Sequence, residues 1–202
     1  VYKNGLPKHL DYKGDGEDLK LPEKNILIFG ILLFVIFGSG GIIIDWSALW
    51  FTKDIKTPLY LSSLGLICFS SGGIIGNLFS NQLIHIFSEK VVGCYFVIIG
   101  AFVLFISIIS FNMYFILVAL FLYGFSTANF VPLIIRQAVM QSSESIPTTV
   151  TNLTTMGFSS LLVAPALIGF VAETLSLTSN MYSLSIIVFF SGIVFLKKFK
   201  IN

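Results

Sequence analysis

The sequence predicts an all-α membrane protein of six transmembrane helices, arranged as two inverted three-helix repeats. Three observations predict it. Of 202 residues, 55% are hydrophobic and 11% charged, where soluble domains carry about a quarter charged residues. The charges are unevenly placed, with ten of the Lys, Arg, Asp and Glu in the first 24 residues, VYKNGLPKHLDYKGDGEDLKLPEK. Beyond them lie long apolar stretches, and short echoes link the first half of that region to the second.

The apolar stretches give six spans in order: Asn25–Phe51, Pro58–Ser80, Val91–Ser110, Tyr114–Ala138, Thr148–Ala172 and Met181–Leu196. Each is near the ~20 residues that cross ~30 Å of hydrocarbon at ~1.5 Å per residue. The last is short, and its neighbours extend it. In lipid only a helix satisfies every backbone group within one segment, so the spans are helices. Residues 1–24 read as a polar linker, and 25–202 as the membrane domain. The chain opens on Val and polar sequence, not a signal peptide. It reads as a fragment or an internal segment.

Basic residues set the direction, because cytoplasmic loops are enriched in Lys and Arg. With the N-terminal segment inside, the inner set holds Lys3, Lys8, Lys13, Lys20, Lys24, Lys90, Arg136, Lys197, Lys198 and Lys200. The outer set holds only Lys53 and Lys56. An even number of spans with both ends cytoplasmic follows, in a plasma membrane of bacterial inner-membrane type.

LSSLG at 61–65 in the second span echoes LTTMG at 153–157 in the fifth. FGSGG (37–41) in the first more weakly echoes YGFSTAN (123–129) in the fourth. The repeat unit is three spans. An odd unit points the opposite way on its second pass, which is the inverted-topology repeat of secondary transporters.

The third and sixth spans are nearly all apolar and suit lipid. The other four carry Gly, Pro, Asn, Asp, Ser and Thr. Gly72-x-x-x-Gly76 permits close helix approach. On the fifth span Thr148, Thr151, Asn152, Thr155 and Ser159 form one stripe at helical spacing. Ser126, Asn129, Pro132 and Arg136 share a face of the fourth, and Ser63, Ser70 and Asn77 a face of the second. Polar groups at membrane depth face protein or water. The competing explanation is that Ser and Thr bond carbonyls of their own helix. Arg136, at the inner end of its span, suits a side chain that snorkels to the interface.

GSGGIIIDWSALWF, Gly38 to Phe51, places Asp45 ~10 Å outward of the centre of the first span. Two readings stand. In one, Asp45 faces a cavity and binds a solute or carries a proton. In the other, the glycines break the helix and Asp45 caps its restart, while Trp46 and Trp50 anchor the outer interface.

Other classes find little support. A net charge of +2 does not suggest nucleic acid, and Cys68 and Cys94 form neither a disulfide framework nor a metal motif. His9 and His85 lack ligand-spaced companions, so no metal or cofactor is expected. A membrane enzyme needs a clustered nucleophile and base, and the sequence supplies only His85 with Glu89 at i+4.

The whole pattern resembles the C-terminal half of a major facilitator superfamily transporter, closest to the fucose-permease-like branch. GSGGIIIDWSALWF (38–51), GFSTANFVPLIIRQA (124–138) and TTMGFSSLLVAPALIGFVAE (154–173) carry the resemblance. It implies a twelve-helix fold of two six-helix halves, with residues 1–24 as the central cytoplasmic loop. It also implies that the first and fourth spans line a cavity, the second and fifth meet the other half, and the third and sixth face lipid. The implied function is alternating-access transport of a small polar solute, coupled to protons. Asp45, Asn129, Thr151 and Asn152 are the candidate contacts. The implied partners are the solute, the bilayer and a missing N-terminal half or a second copy.

One departure concerns the family's gating loop, G-x-x-x-D-R-x-G-R-R. The corresponding run, 76–92, opens on Gly76 and keeps a basic residue at Lys90. Asn81 and Gln82 stand where Asp and Arg would be, which puts the gating charge pair in doubt. A homodimeric six-helix protein, a channel and a non-functional fragment are the alternative readings.

Overall fold

The computed structural model describes residues 23–200. The expected linker, 1–24, lies outside the described residues except for its last two positions. Among the described residues six helical spans are long and apolar enough to cross a membrane: Ile26–Lys53, Leu59–Leu78, Val91–Ile109, Met113–Gln141, Ile146–Val171 and Leu177–Lys198. Helix α1 (Lys24–Lys53) forms the first, and a single 3-10 turn followed by α2 (Leu64–Leu78) the second. A short helix, α3 (Ser80–Phe87), leads to the third span, a π turn at Val91–Tyr95 running into α4 (Phe96–Ile109). Helices α5 (Met113–Ala128) and α6 (Phe130–Gln141) make the fourth, α7 (Ile146–Thr174) the fifth and α8 (Leu177–Lys198) the sixth.

Local chemistry explains the boundaries. The Asn112 side chain accepts from Tyr114 N–H at 3.0 Å and so caps α5. Ser176 accepts from Ser179 N–H at 3.1 Å, which starts α8 ahead of the expected Met181. The fourth span bends at Asn129 because Pro132 has no N–H for the carbonyl of Ala128.

The glycines of α1 do not interrupt it. The helix is continuous through Gly38, Ser39, Gly40 and Gly41, and Asp45 caps nothing. The capping reading of Asp45 is thereby corrected. Two of these glycines serve contact with α7. A Cβ on Gly38 would lie 3.2 Å from Ala164 Cβ, and one on Gly41 3.2 Å from Leu161 Cδ2. With no water to replace a lost backbone bond, the helix is retained where glycines have a packing use.

The most extensive helix contacts join α1 to α7 and α2 to α5, followed by α4 with α5 and α8, and α1 with α8. Exchanging the first three spans with the last three converts the first pair into the second. It likewise converts α4–α5 into α8–α1 and leaves α4–α8 in place. The contact pattern therefore has the symmetry that a three-span repeat requires. Tertiary hydrogen bonds fix the ends. Asp54, just after α1, meets Thr178 at the start of α8. At the opposite end Gln137 and Gln141 of α6 reach the backbone at Lys200 and Lys198. Phe195 of α8 is fully buried and makes edge contacts with Phe29 and Phe130, so it ties together the first, fourth and sixth spans.

Candidate functional site

The spans differ in how much of themselves the chain covers. In the most apolar stretch of each, 22% of residues are buried in the second span and 17% in the fifth, against 44–56% in the other four. The expected polar stripes lie on those two uncovered faces. Ser63, Ser70 and Asn77 are all exposed along the second span, and Thr151, Thr155 and Ser159 along the fifth. Apolar side chains such as Ile67, Ile74 and Leu162 are interspersed with them. The third span exposes Ile99, Phe102, Ile106 and Ile109 instead, and the sixth Ile186, Phe190 and Val194. These are apolar stripes at helical spacing that match acyl chains.

The fourth span's expected face is split by its bend. Ser126 and Asn129 are buried, while Pro132 and Arg136 are exposed. Ser126 donates to the Tyr123 carbonyl at 2.8 Å, the local bond that competes with a functional reading. Asn129 Nδ2 donates to the Gly76 carbonyl at 3.1 Å and ties α2 to the bend. Its Oδ1 is buried and has no hydrogen-bond partner among the described residues. Gly76 allows this approach, since a Cβ there would stand 2.6 Å from the Phe125 carbonyl oxygen.

Asp45 is exposed and makes no hydrogen bond or ion pair among the described residues. Beside it, the Trp46 ring lies against Gly169 of α7. Trp50 is fully buried and donates Nε1–H to Thr178 Oγ1 at 3.0 Å. It is therefore a core residue of the bundle and not an interface anchor. Protein neighbours surround it where an aromatic belt would meet headgroups.

The contacts of α1 with α7 also fix depth. Gly30 faces Met156, and Trp46 faces Gly169. Gly169 lies eighteen positions beyond Thr151 on α7, ~27 Å at ~1.5 Å per residue. Asp45 and Thr151 thus occupy opposite ends of the bundle, and Asn129 lies between them near the middle of its span. Asn152 is near Thr151 and donates Nδ2–H to Glu144 Oε2 at 3.3 Å. The structure brings Thr151 and Asn152 together, and keeps Asp45 and Asn129 apart from them and from each other.

No family model matches the chain. A protein of Yersinia pestis named as an uncharacterized MFS-type transporter is 27% identical over 169 residues, covering 81% of this chain and 43% of the relative. Membrane protein MosC of Rhizobium meliloti is 28% identical over 164 residues, 75% of this chain and 37% of its own. The chain is homologous to a major facilitator transporter. Its six apolar helices fit one half of that fold. It spans less than half the length of the curated relatives it matches.

The run expected to gate is mostly helical. Gly76 lies inside α2, Asn81 is exposed on α3, and Lys90 is half-buried where the third span begins. Arg136 is exposed at the end of its span and forms an ion pair with Glu89. Sequence reasoning named Glu89 only as a neighbour of His85. The signal that finds this pair is opposite charge at the same end of adjacent spans. Sequence reasoning also missed the Tyr123–Ser39 and Asp54–Thr178 bonds.

Proposed function

We propose that the chain is the C-terminal half of a permease that moves a small polar solute by alternating access, coupled to protons. Hydroxyl and amide side chains on the uncovered faces of the second and fifth spans carry the reading. Such groups are costly against acyl chains and suit the second half and the aqueous path between halves. The greater length of the matched relatives supports a partner half in the same polypeptide over a second copy. The ten-to-two split of basic residues supports cytoplasmic termini in a plasma membrane.

Asp45, Thr151 and Asn152 act in this reading as stations along a path, while Asn129, buried and bonded to the Gly76 carbonyl, steadies the bend of the fourth span beside it. The ~27 Å between the levels of Asp45 and Thr151 exceeds the reach of one small solute. Asp45 is the proton carrier toward the outer end. Thr151 and Asn152 offer hydroxyl and amide contacts toward the inner end, as polyols and sugars require. Gly76, Asn81 and Lys90 belong to the inner gate, whose ion pair is Glu89–Arg136.

The test is thiol labelling of Thr151→Cys in the full-length protein, with Cys68 and Cys94 replaced by Ser. A membrane-impermeant reagent should label it from the cytoplasmic side, and an imposed proton gradient should change the rate severalfold. Ile106→Cys on the apolar stripe of α4 should stay unlabelled. If Thr151→Cys resists the reagent from both sides under every condition, the aqueous path is lost and the proposal with it.

A further inference from the structure

Three cationic residues from separate parts of the chain line one cavity of about 270 Å³ at the basic end of the bundle. Lys90 comes from the turn before the third span, Arg136 from α6 and Lys200 from the segment after α8. Among the described residues Glu89 is the one acidic group lining it, and it pairs with Arg136. Lys90 and Lys200 have no ion-pair partner among the described residues. Among the described residues the cavity therefore carries two positive charges without an acidic partner.

Its walls are positioned by more than chance proximity. Gln137 is 1% exposed and spends both ends of its amide on one residue. Its Nε2–H donates to the Lys200 carbonyl at 3.0 Å, and its Oε1 accepts from Lys200 N–H at 3.0 Å. Gln141 holds the carbonyl of Lys198 in the same way, at 3.0 Å. Two glutamines thus fasten the segment after α8 against α6 and set the Lys200 backbone at the cavity. Phe199 and Met140 add an apolar side to the same opening. Cations on one wall and apolar groups on another suit a phosphate-bearing anion at the membrane surface, because basic pockets between spans bind anionic headgroups.

We infer that this cavity is a binding site for a phosphate group, with Lys90 and Lys200 as its free cations and Arg136 held ready by Glu89. The phosphodiester of an anionic lipid and free inorganic phosphate share that chemistry. The site lies apart from the polar faces of the second and fifth spans but shares Lys90 and the Glu89–Arg136 pair with the proposed inner gate; it rests on the cavity lining and not on that gate.

The experiment uses the full-length protein in nanodiscs of phosphatidylcholine, with or without 20 mol% phosphatidylglycerol, and in phosphatidylcholine with inorganic phosphate added. Native mass spectrometry after gentle detergent extraction reads bound lipid, and thermal unfolding reads both ligands. The expected result is at least a threefold excess of bound phosphatidylglycerol over phosphatidylcholine, lost in the double variant Lys90→Gln, Lys200→Gln. A rise in melting temperature with phosphate alone, lost in the same variant, supports the site and assigns it to the free anion. Cys94, buried in the third span, should stay closed to maleimide in the double variant, which checks that it is folded. Folded protein with no preference for either phosphate source overturns the inference. So does a preference that survives the double substitution.

Discussion

Tyr123 donates its phenolic hydrogen to Ser39 Oγ at 2.8 Å, and Ser39 passes its own hydrogen to the Ile36 carbonyl at 2.8 Å. Tyr123 is fully buried and Ser39 is 4% exposed. The bond joins the first and fourth spans, the pair that the repeat exchanges, deep in the protein and away from both ends.

Its two partners are not equivalent. Tyr123→Phe removes the donor and leaves Ser39 bonded to its own helix, a loss of about 0.5–1 kcal/mol. Ser39→Ala strands a buried phenolic hydroxyl, which costs about 1–3 kcal/mol. The double variant should be no less stable than Ser39→Ala, since the orphan is then gone. Thermal unfolding in detergent checks the order. A Tyr123→Phe variant less stable than Ser39→Ala would contradict it.

Adjacent glycines should respond very differently to one methyl group. A Cβ on Gly72 would run into the Phe121 carbonyl oxygen, and one on Gly124 into that of Phe69. These are backbone atoms of the facing helix, so no side chain can swing aside. A Cβ on Gly73 meets nothing nearer than the Gly124 oxygen at 3.9 Å. Gly72→Ala and Gly124→Ala should each cost about 3 kcal/mol or more by forcing α2 and α5 apart. Gly73→Ala should fall within about 0.5 kcal/mol of the parent. Equal melting temperatures for Gly72→Ala and Gly73→Ala would refute the backbone contact.

What the sequence made legible follows from the range of each interaction. Six spans could be read because burial in lipid demands ~20 apolar residues in a row, and that demand is local. Gly72-x-x-x-Gly76 announced a close approach for the same reason, though not that Gly124 was its counterpart. The bond from Tyr123 to Ser39 crosses 84 positions, and no local pattern marks it. Gly38 to Gly41 looked like a helix break because glycine is a poor helix former in water. In the bundle, contact with α7 and the absence of competing water keep α1 intact. Trp50 looked like a belt residue because position along a span does not reveal which face of it is covered by protein.

Asp54 acts as a cap supplied by another helix. Its Oδ2 accepts from Thr178 N–H and from Thr178 Oγ1–H, each at 2.7 Å, and Thr178 Oγ1 accepts from Trp50 Nε1. A carboxylate at the start of α8 also suits the positive end of the helix dipole. Asp54→Ala should cost about 2 kcal/mol, and Asp54→Asn about half as much, since the amide oxygen still accepts. Thr178→Val leaves the buried Trp50 N–H unpaired and should cost about as much as Asp54→Ala. Near-parent melting temperatures for both Asp54→Ala and Thr178→Val would show that the junction does not hold α1 to α8.

Asp45 should divide stability from transport. It is exposed and unpaired among the described residues, so Asp45→Asn should change unfolding by no more than about 0.5 kcal/mol. Asparagine has nearly the shape of a protonated carboxyl and keeps its hydrogen-bonding capacity, but it releases no proton. If Asp45 carries the coupled proton, the full-length variant in proteoliposomes should still exchange labelled solute across the membrane. It should fail to accumulate that solute against a gradient, and its uptake should lose its dependence on external pH. The wild type, tested with a panel of labelled sugars and polyols, supplies the solute for the comparison. Accumulation by the variant at the wild-type level, with the same pH profile, would remove Asp45 from the proton path.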